Sequence, residues 1–416
     1  MLISQSYLEF NKNIISIIFL LYILCYIIGP APINILLTFL SIFSIYYLYK
    51  KRNLWPDIFK DKSCLFLIFF FLYIFVRELF EEKFNLEILT FLRIVVIYLS
   101  IYLISFNKTY HHLNLKLFLI FYIPIIIDCF IQFYFNKNIF GFPIYDGYRL
   151  TSFFKDEPIV GSFLFKISVP IICFYYVVEK KINILFIILI LFSFLAILLS
   201  GERMPFIQIS LSIFIISLIY FRDALKKVLI LYLILTLSFF ILFLLNDKIY
   251  NRYINTFENI LLILNVSNHD NSILKQTSGY EYSLNFKSGI NLWANNKIFG
   301  GGYRNYKENC KIEITNPELV DGCSTHPHNL FIELLADYGI IGLIIFYFFI
   351  YQCLKSFYCS NKFNKYFGIL LVSILLVFPF STSQSIFSSY YGSIFFLYFI
   401  ILKYLTHSNY NSVQFK

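Results

Sequence analysis

Two histidines and a few arginines are the residues of this chain best equipped to do chemistry. His326 and His328 stand two apart in Ser324-Thr325-His326-Pro327-His328-Asn329, where a long polar segment gives way to an apolar one. An imidazole titrates near neutral pH and can take a proton from a hydroxyl. Asn329 is a residue type that caps helix N-termini, and the amides there carry partial positive charge that attracts anions. A base beside an anion site, at the edge of an apolar segment, predicts acid–base chemistry on an acidic substrate at a membrane surface. The simpler reading is two histidines hydrogen-bonded to loop backbone, and spacing alone leaves both open. A metal pair has less support, because no further Cys or His cluster accompanies them.

The arginines extend the anion argument. Ser200-Gly201-Glu202-Arg203 joins two apolar runs with almost no room, which holds Arg203 near the interface. Tyr148-Arg149 opens a polar stretch running through Lys155-Asp156-Glu157-Pro158 into another apolar run, and Arg304 follows Gly300-Gly301-Gly302. Charge kept at membrane depth is costly and often marks an ionic site. The guanidinium fork matches phosphate oxygens in pairs, so it suits a diphosphate. The bland alternatives are snorkelling side chains or a local pair such as Glu202 with Arg203. Arg77-Glu78 with Glu81-Glu82-Lys83 reads as a solvated helix end, and Asp128 lies inside an apolar run with no evident partner. The three glycines predict a tight turn with exposed amides.

The elements that must position these residues are membrane helices. The chain has 416 residues, 59% apolar and only 14% charged. Apolar segments fall near 14–29, 33–49, 64–80, 88–106, 115–135, 159–178, 183–199, 205–221, 228–246, 330–353, 365–380 and 386–405. Runs of roughly 20 apolar residues span a bilayer, so the fold class expected is an all-α polytopic membrane protein with about twelve transmembrane helices. Basic clusters at Lys50-Lys51-Arg52, Lys180-Lys181, Arg222 and Lys226-Lys227 fall on one side, which the positive-inside rule makes cytoplasmic. Both termini are then inside, and one large loop between helices 9 and 10 is outside. The expected organisation is 1–246 (helices 1–9), 247–329 (the loop) and 330–416 (helices 10–12 and a tail). The formal charge of +10 belongs to those inner loops and does not argue for nucleic acid. Within the outer loop, Tyr253 to Val266 reads as a surface helix. Cys310 and Cys323 are candidates for a disulfide if the loop is extracytoplasmic, with two free thiols as the alternative. The other six cysteines read as small buried hydrophobes.

Taken together, these residues resemble the O-antigen ligase and O-antigen polymerase family of bacterial envelopes. His328-Asn329 followed by Gly339 and Gly342 looks like that family's signature. Tyr148 to Gly161, Ser200 to Arg203, and Phe286 to Gly302 resemble three further pieces in the family's order. The resemblance implies metal-independent, inverting glycosyl transfer at the periplasmic face of the inner membrane, without a cofactor. The donor implied is a glycan on undecaprenyl diphosphate. The acceptor is a sugar hydroxyl of lipid A-core (ligase) or of another lipid-linked repeat unit (polymerase). Carried over, His328 would be the base, and Arg203 and Arg149 would hold the diphosphate; Arg304, by the same phosphate logic, and His326, beside the base, are added as candidate substrate-binding residues. The sequence departs from the family where Tyr280-Glu281-Tyr282 stands in place of an arginine and Lys297 in place of a proline, which leaves Lys287 and Lys297 as substitute point charges. A lipid-linked-oligosaccharide flippase would also want arginines along a diphosphate path. Against it stand the large outer loop, the absence of an internal repeat, and polar residues gathered at one face instead of the midplane.

Overall fold

In the computed structural model the described residues are 16–81, 85–106, 115–179, 183–220, 225–246, 250, 253, 278–313, 324–379, 381–382 and 384–406. Among them the chain is helical, with two isolated β-bridges, Lys137 to Pro143 and Tyr145 to Arg149, and no strand. The helices are α1 (Ser16–Ile28), α2 (Pro30–Lys50), α3 (Trp55–Lys60), α4 (Lys62–Leu79), α5 (Leu89–Ile104), α6 (Leu119–Phe135), α7 (Val160–Glu179), α8 (Ile184–Leu199), α9 (Arg203–Tyr220) and α10 (Leu225–Leu245). They continue with α11 (Ser278–Asn295), α12 (Asn305–Glu313), α13 (Leu330–Tyr358), α14 (Phe363–Leu376) and α15 (Tyr391–Thr406).

Each apolar segment of the sequence carries a helix. Among the described residues, six elements are long and apolar enough to cross a membrane: Pro30–Lys50, Leu86–Ile104, Leu115–Phe135, Val160–Glu179, Arg203–Tyr220 and Leu330–Tyr358. The outer faces agree: α2 exposes Ile35, Phe39 and Ile42, and α10 exposes Leu237, Ile241 and Leu244. Apolar surface on that scale suits lipid, not water. The reading of Tyr253 to Val266 as a surface helix falls, Tyr253 excepted, outside the described residues.

The interior is aromatic. Phe346 of α13 lies 5.0 Å from Phe70 of α4 and 6.2 Å from Phe395 of α15, ring centre to ring centre. α14 meets α7 at Gly368, where a Cβ would come within 2.6 Å of the Val169 carbonyl. Small residues permit such backbone approach between membrane helices.

The glycine-turn segment is keyed into α13 through backbone. α13 breaks at Gly339, whose φ of 64° and ψ of −166° lie outside the helical region. The break leaves carbonyls and amides without helical partners, and the glycine turn supplies them. Gly301 N donates to Ala336 O at 3.0 Å, Gly302 N to Asp337 O at 2.8 Å, and Ile340 N to Lys297 O at 3.0 Å. The glycine amides, expected to be exposed, are thus consumed. A Cβ on Gly339 would overlap the Ile298 carbonyl, and one on Gly300 the Asp337 backbone. Both positions need φ near +70°, so glycine serves conformation and approach together.

The Arg77–Glu78 cluster is not the solvated helix end it resembles. Arg77 donates to Gly300 O at 3.0 Å and pairs with Glu81, while buried Glu78 accepts from Asn85 N at 2.9 Å and Tyr303 N at 3.2 Å. The polar end of α4 is needed because the glycine-turn segment's backbone lands on it.

Candidate functional site

The loop that carries Arg149 is braced from α6. Asp128 and Gln132 lie one turn apart on the same helix face. Asp128 accepts from Ser152 Oγ at 2.5 Å and Ile139 N at 2.9 Å. Gln132 accepts from Thr151 N at 3.0 Å and Ser152 N at 2.7 Å, and donates to Thr151 Oγ1 at 3.1 Å. Asp128, which had no partner in the sequence, is therefore a loop anchor. Asn138 Nδ2 adds a bond of 2.6 Å to the Ser152 carbonyl.

Two motifs far apart in sequence meet here. Leu150 N donates to Ser200 O at 3.3 Å, and Gly201, at φ 71°, would bring a Cβ to 3.1 Å from the Tyr148 carbonyl. Glu202 turns from this junction to the head of α7, accepting from Gly161 N at 2.6 Å and Ser162 N at 3.2 Å. A carboxylate suits the amide end of a helix. Burial pushes Glu202 up to about 7, with Arg149, the two amides and Lys166 pulling the other way. Arg149 donates to Pro158 O at 2.8 Å, and its Nε is buried with no hydrogen-bond partner among the described residues.

Beside these groups lies a cavity of about 230 Å³, whose polar lining includes Arg149, Lys166, Glu202, Gln208, His328 and Tyr391. His328 and Arg149, read from the sequence as base and phosphate ligand, share this one space. His328 sits in the left-handed region at φ 54°, immediately before Asn329. Asn329 caps α13 through Ile332 N at 3.0 Å and ties it to the Pro379 carbonyl at 2.6 Å. The cap reading holds, and it aims the preceding residue into the cavity instead of along the helix. Burial lowers the His328 pKa from its usual value, which keeps the imidazole neutral and able to accept a proton.

The remaining sequence candidates lie around this space. His326 is buried behind His328, ring centres 4.2 Å apart, with Nδ1 3.1 Å from Thr325 Oγ1. Arg203 begins α9 directly after Glu202 and is half-buried, but the cavity is lined by its neighbours Met204 and Pro205. Arg304 is not brought to the cavity: it pairs with Glu87 and lies over the Tyr303 ring, 5.3 Å to its centre. Lys287 and Lys297 are exposed and outside the lining. Cys310 is disulfide-bonded; Cys323, the partner the sequence suggests, lies outside the described residues.

Several lining residues escaped the sequence reading. Gln208 donates to Ser381 Oγ at 2.8 Å, and Tyr391 OH donates to Glu157 Oε2 at 2.7 Å. These come from α9, α15 and two loops, and no sequence spacing relates them. Lys166 had a signal that went unused: it is a cation within the 159–178 apolar run.

Residues 188–347 match the family model described as O-antigen ligase. The match runs from α8 into α13 and includes Glu202, Arg203, Arg304, His326 and His328, whereas Arg149 and Lys166 precede it. No curated protein matches the chain. The matched segment, set among apolar helices, is similar to the O-antigen ligase family and supports the O-antigen ligase and polymerase family, a glycosyltransferase-type class of enzyme, as the one this chain resembles.

Proposed function

We propose that the protein transfers a glycan from undecaprenyl diphosphate to a sugar hydroxyl of lipid A-core, at the periplasmic face of the bacterial inner membrane. The observation that carries this reading is the shared cavity of His328 and Arg149. His328 takes the proton of the acceptor hydroxyl as its oxygen attacks the anomeric carbon from the face opposite the diphosphate. The bond from that carbon to the diphosphate oxygen breaks, and polyprenyl diphosphate leaves with the electron pair. The configuration inverts. Diphosphate is a good leaving group, so positioning and charge stabilisation carry much of the rate. Arg149 supplies the charge from the cavity wall, and Arg203 supports it from the head of α9. His326 packs against the base and fixes its ring. Arg304, paired with Glu87, acts on the outer segment's fold and not on the donor.

No metal or cofactor enters this scheme. The twelve-helix topology with both termini in the cytoplasm belongs to the same proposal, since it puts 247–329 and the cavity mouth on the side of the acceptor. Polymerase chemistry differs only in its acceptor, a second lipid-linked repeat unit.

Polysaccharide profiling of a deletion strain complemented with wild type or His328→Ala tests the assignment. Free lipid A-core beside long lipid-linked polymer in the mutant is the expected result. Core bearing a single repeat unit would make the protein a polymerase. An unchanged profile would remove glycosyl transfer and return the flippase reading.

A further inference from the structure

We infer that Lys166 is a second cation for the donor diphosphate, holding the phosphate next to the prenyl chain while Arg149 holds the sugar-side phosphate. The assignment rests on the glycosyl-transfer reading above and adds the orientation of the donor. Lys166 lies six residues beyond Val160 on α7, roughly 9 Å further along the helix at 1.5 Å per residue. Its ammonium donates to Ser162 Oγ at 2.7 Å, and among the described residues this is its only hydrogen bond. An ammonium has three protons, so two remain for a ligand. Glu202, each of whose oxygens accepts an α7 amide, lines the same cavity and makes no hydrogen bond to Lys166 among the described residues.

The space around Lys166 changes character at that point. The residue lines the polar cavity with Arg149 and His328, and it also lines a narrow apolar crevice of about 30 Å³ with Phe19, Ile23, Ile171 and Leu397. Lys166 and Ile394 border both voids. A cation standing between polar and apolar walls matches the chemistry of a ligand with an anionic head and a hydrocarbon chain, and the crevice widens to take the chain. The sugar then points outward, toward His328.

The backbone at Lys166 is also built for the task. Pro170 removes the amide that would bond the Lys166 carbonyl four residues earlier. Tyr398 OH of α15 replaces that donor at 2.5 Å. The turn carrying the ammonium is thereby tied to α15, which makes Tyr398 a positioning residue.

The test is binding of farnesyl diphosphate, farnesyl monophosphate and inorganic diphosphate to the full chain in nanodiscs. Wild type should prefer farnesyl diphosphate to both others. Lys166→Met should weaken farnesyl diphosphate by about tenfold or more and erase the preference over the monophosphate, while Lys166→Arg keeps most of it. Tyr398→Phe should weaken the diphosphate by about threefold with little change in melting temperature, on the scale of one neutral hydrogen bond. Wild-type affinity and preference in Lys166→Met would overturn the assignment and leave the donor reading standing. Should that variant not fold, the same result in Lys166→Gln and Tyr398→Phe would overturn it. A wild-type protein that binds no prenyl diphosphate would sink the donor reading, and this inference with it.

Discussion

Glu78 and Glu202 are the same device used in two places. Each is a buried carboxylate, 2% and 8% exposed, that accepts two backbone amides. At Glu78 the device is closed. Its neighbour Arg77 bonds the Gly300 carbonyl and pairs with Glu81, and the glycine-turn segment covers the end of α4. At Glu202 the device stands beside a cavity of about 230 Å³, with donors of Arg149 and Lys166 not taken up by the protein. Burial, charge and an unbonded arginine Nε (Arg77 or Arg149) are shared by both; the adjoining cavity belongs to one. The first carboxylate builds the scaffold and the second borders the site.

The largest effect that would sharpen this contrast is at the base. His328→Ala should lower turnover by about 10²- to 10⁴-fold, the range of a general base, with membrane insertion intact in a protease-protection assay; a milder loss would return His328 to a structural role. On the scaffold side, Gly339→Ala should cost about 2 kcal/mol or more of stability, because φ of 64° and the Ile298 carbonyl both exclude a Cβ. Melting temperature in detergent reads this, and an unshifted value would mean that the glycine turn is not keyed into α13. Arg149→Lys keeps the charge and loses the fork, so KM for the donor should rise by about tenfold. Unchanged steady-state kinetics would take Arg149 out of the site.

The two carboxylates should also part company when neutralised. Glu78→Gln should lower stability by about 1–3 kcal/mol while leaving donor KM alone. A shift in KM without destabilisation would break the comparison. Glu202→Gln should act on pH dependence. With its folded pKa raised to about 7 from an ordinary 4.5, Glu202 holds its proton more tightly in the folded chain than in the unfolded one. Its contribution to stability is therefore full below pH 4.5 and is lost as pH rises through about 7. Melting curves of wild type and Glu202→Gln between pH 5 and 8 check the sign, and the slope attributable to Glu202 should vanish in the variant. Parallel curves would mean that Glu202 does not titrate there.

What the sequence determined by itself was the solvent and one helix cap. Apolar runs of near-bilayer length leave little choice but helices, because backbone groups in lipid must bond within their own segment. Asn329 at the head of such a helix was readable as its cap, since capping depends on residues three apart. Local rules reach that far. They do not reach the meeting of Arg149 with His328, nor the separation of Arg304 from both, because those depend on which helices pack together. The same limit explains Arg77–Glu78: a charged helix end looks solvated until a segment more than 200 residues away lands on it. Tertiary structure also decided the glycine turn. Its amides were predicted from conformation, but only the break at Gly339 shows where they go. Lys166 marks the boundary between the two kinds of knowledge. Its charge within an apolar run was visible in the sequence; its place between a cavity with polar walls and an apolar crevice required α1, α7 and α15 to be assembled around it.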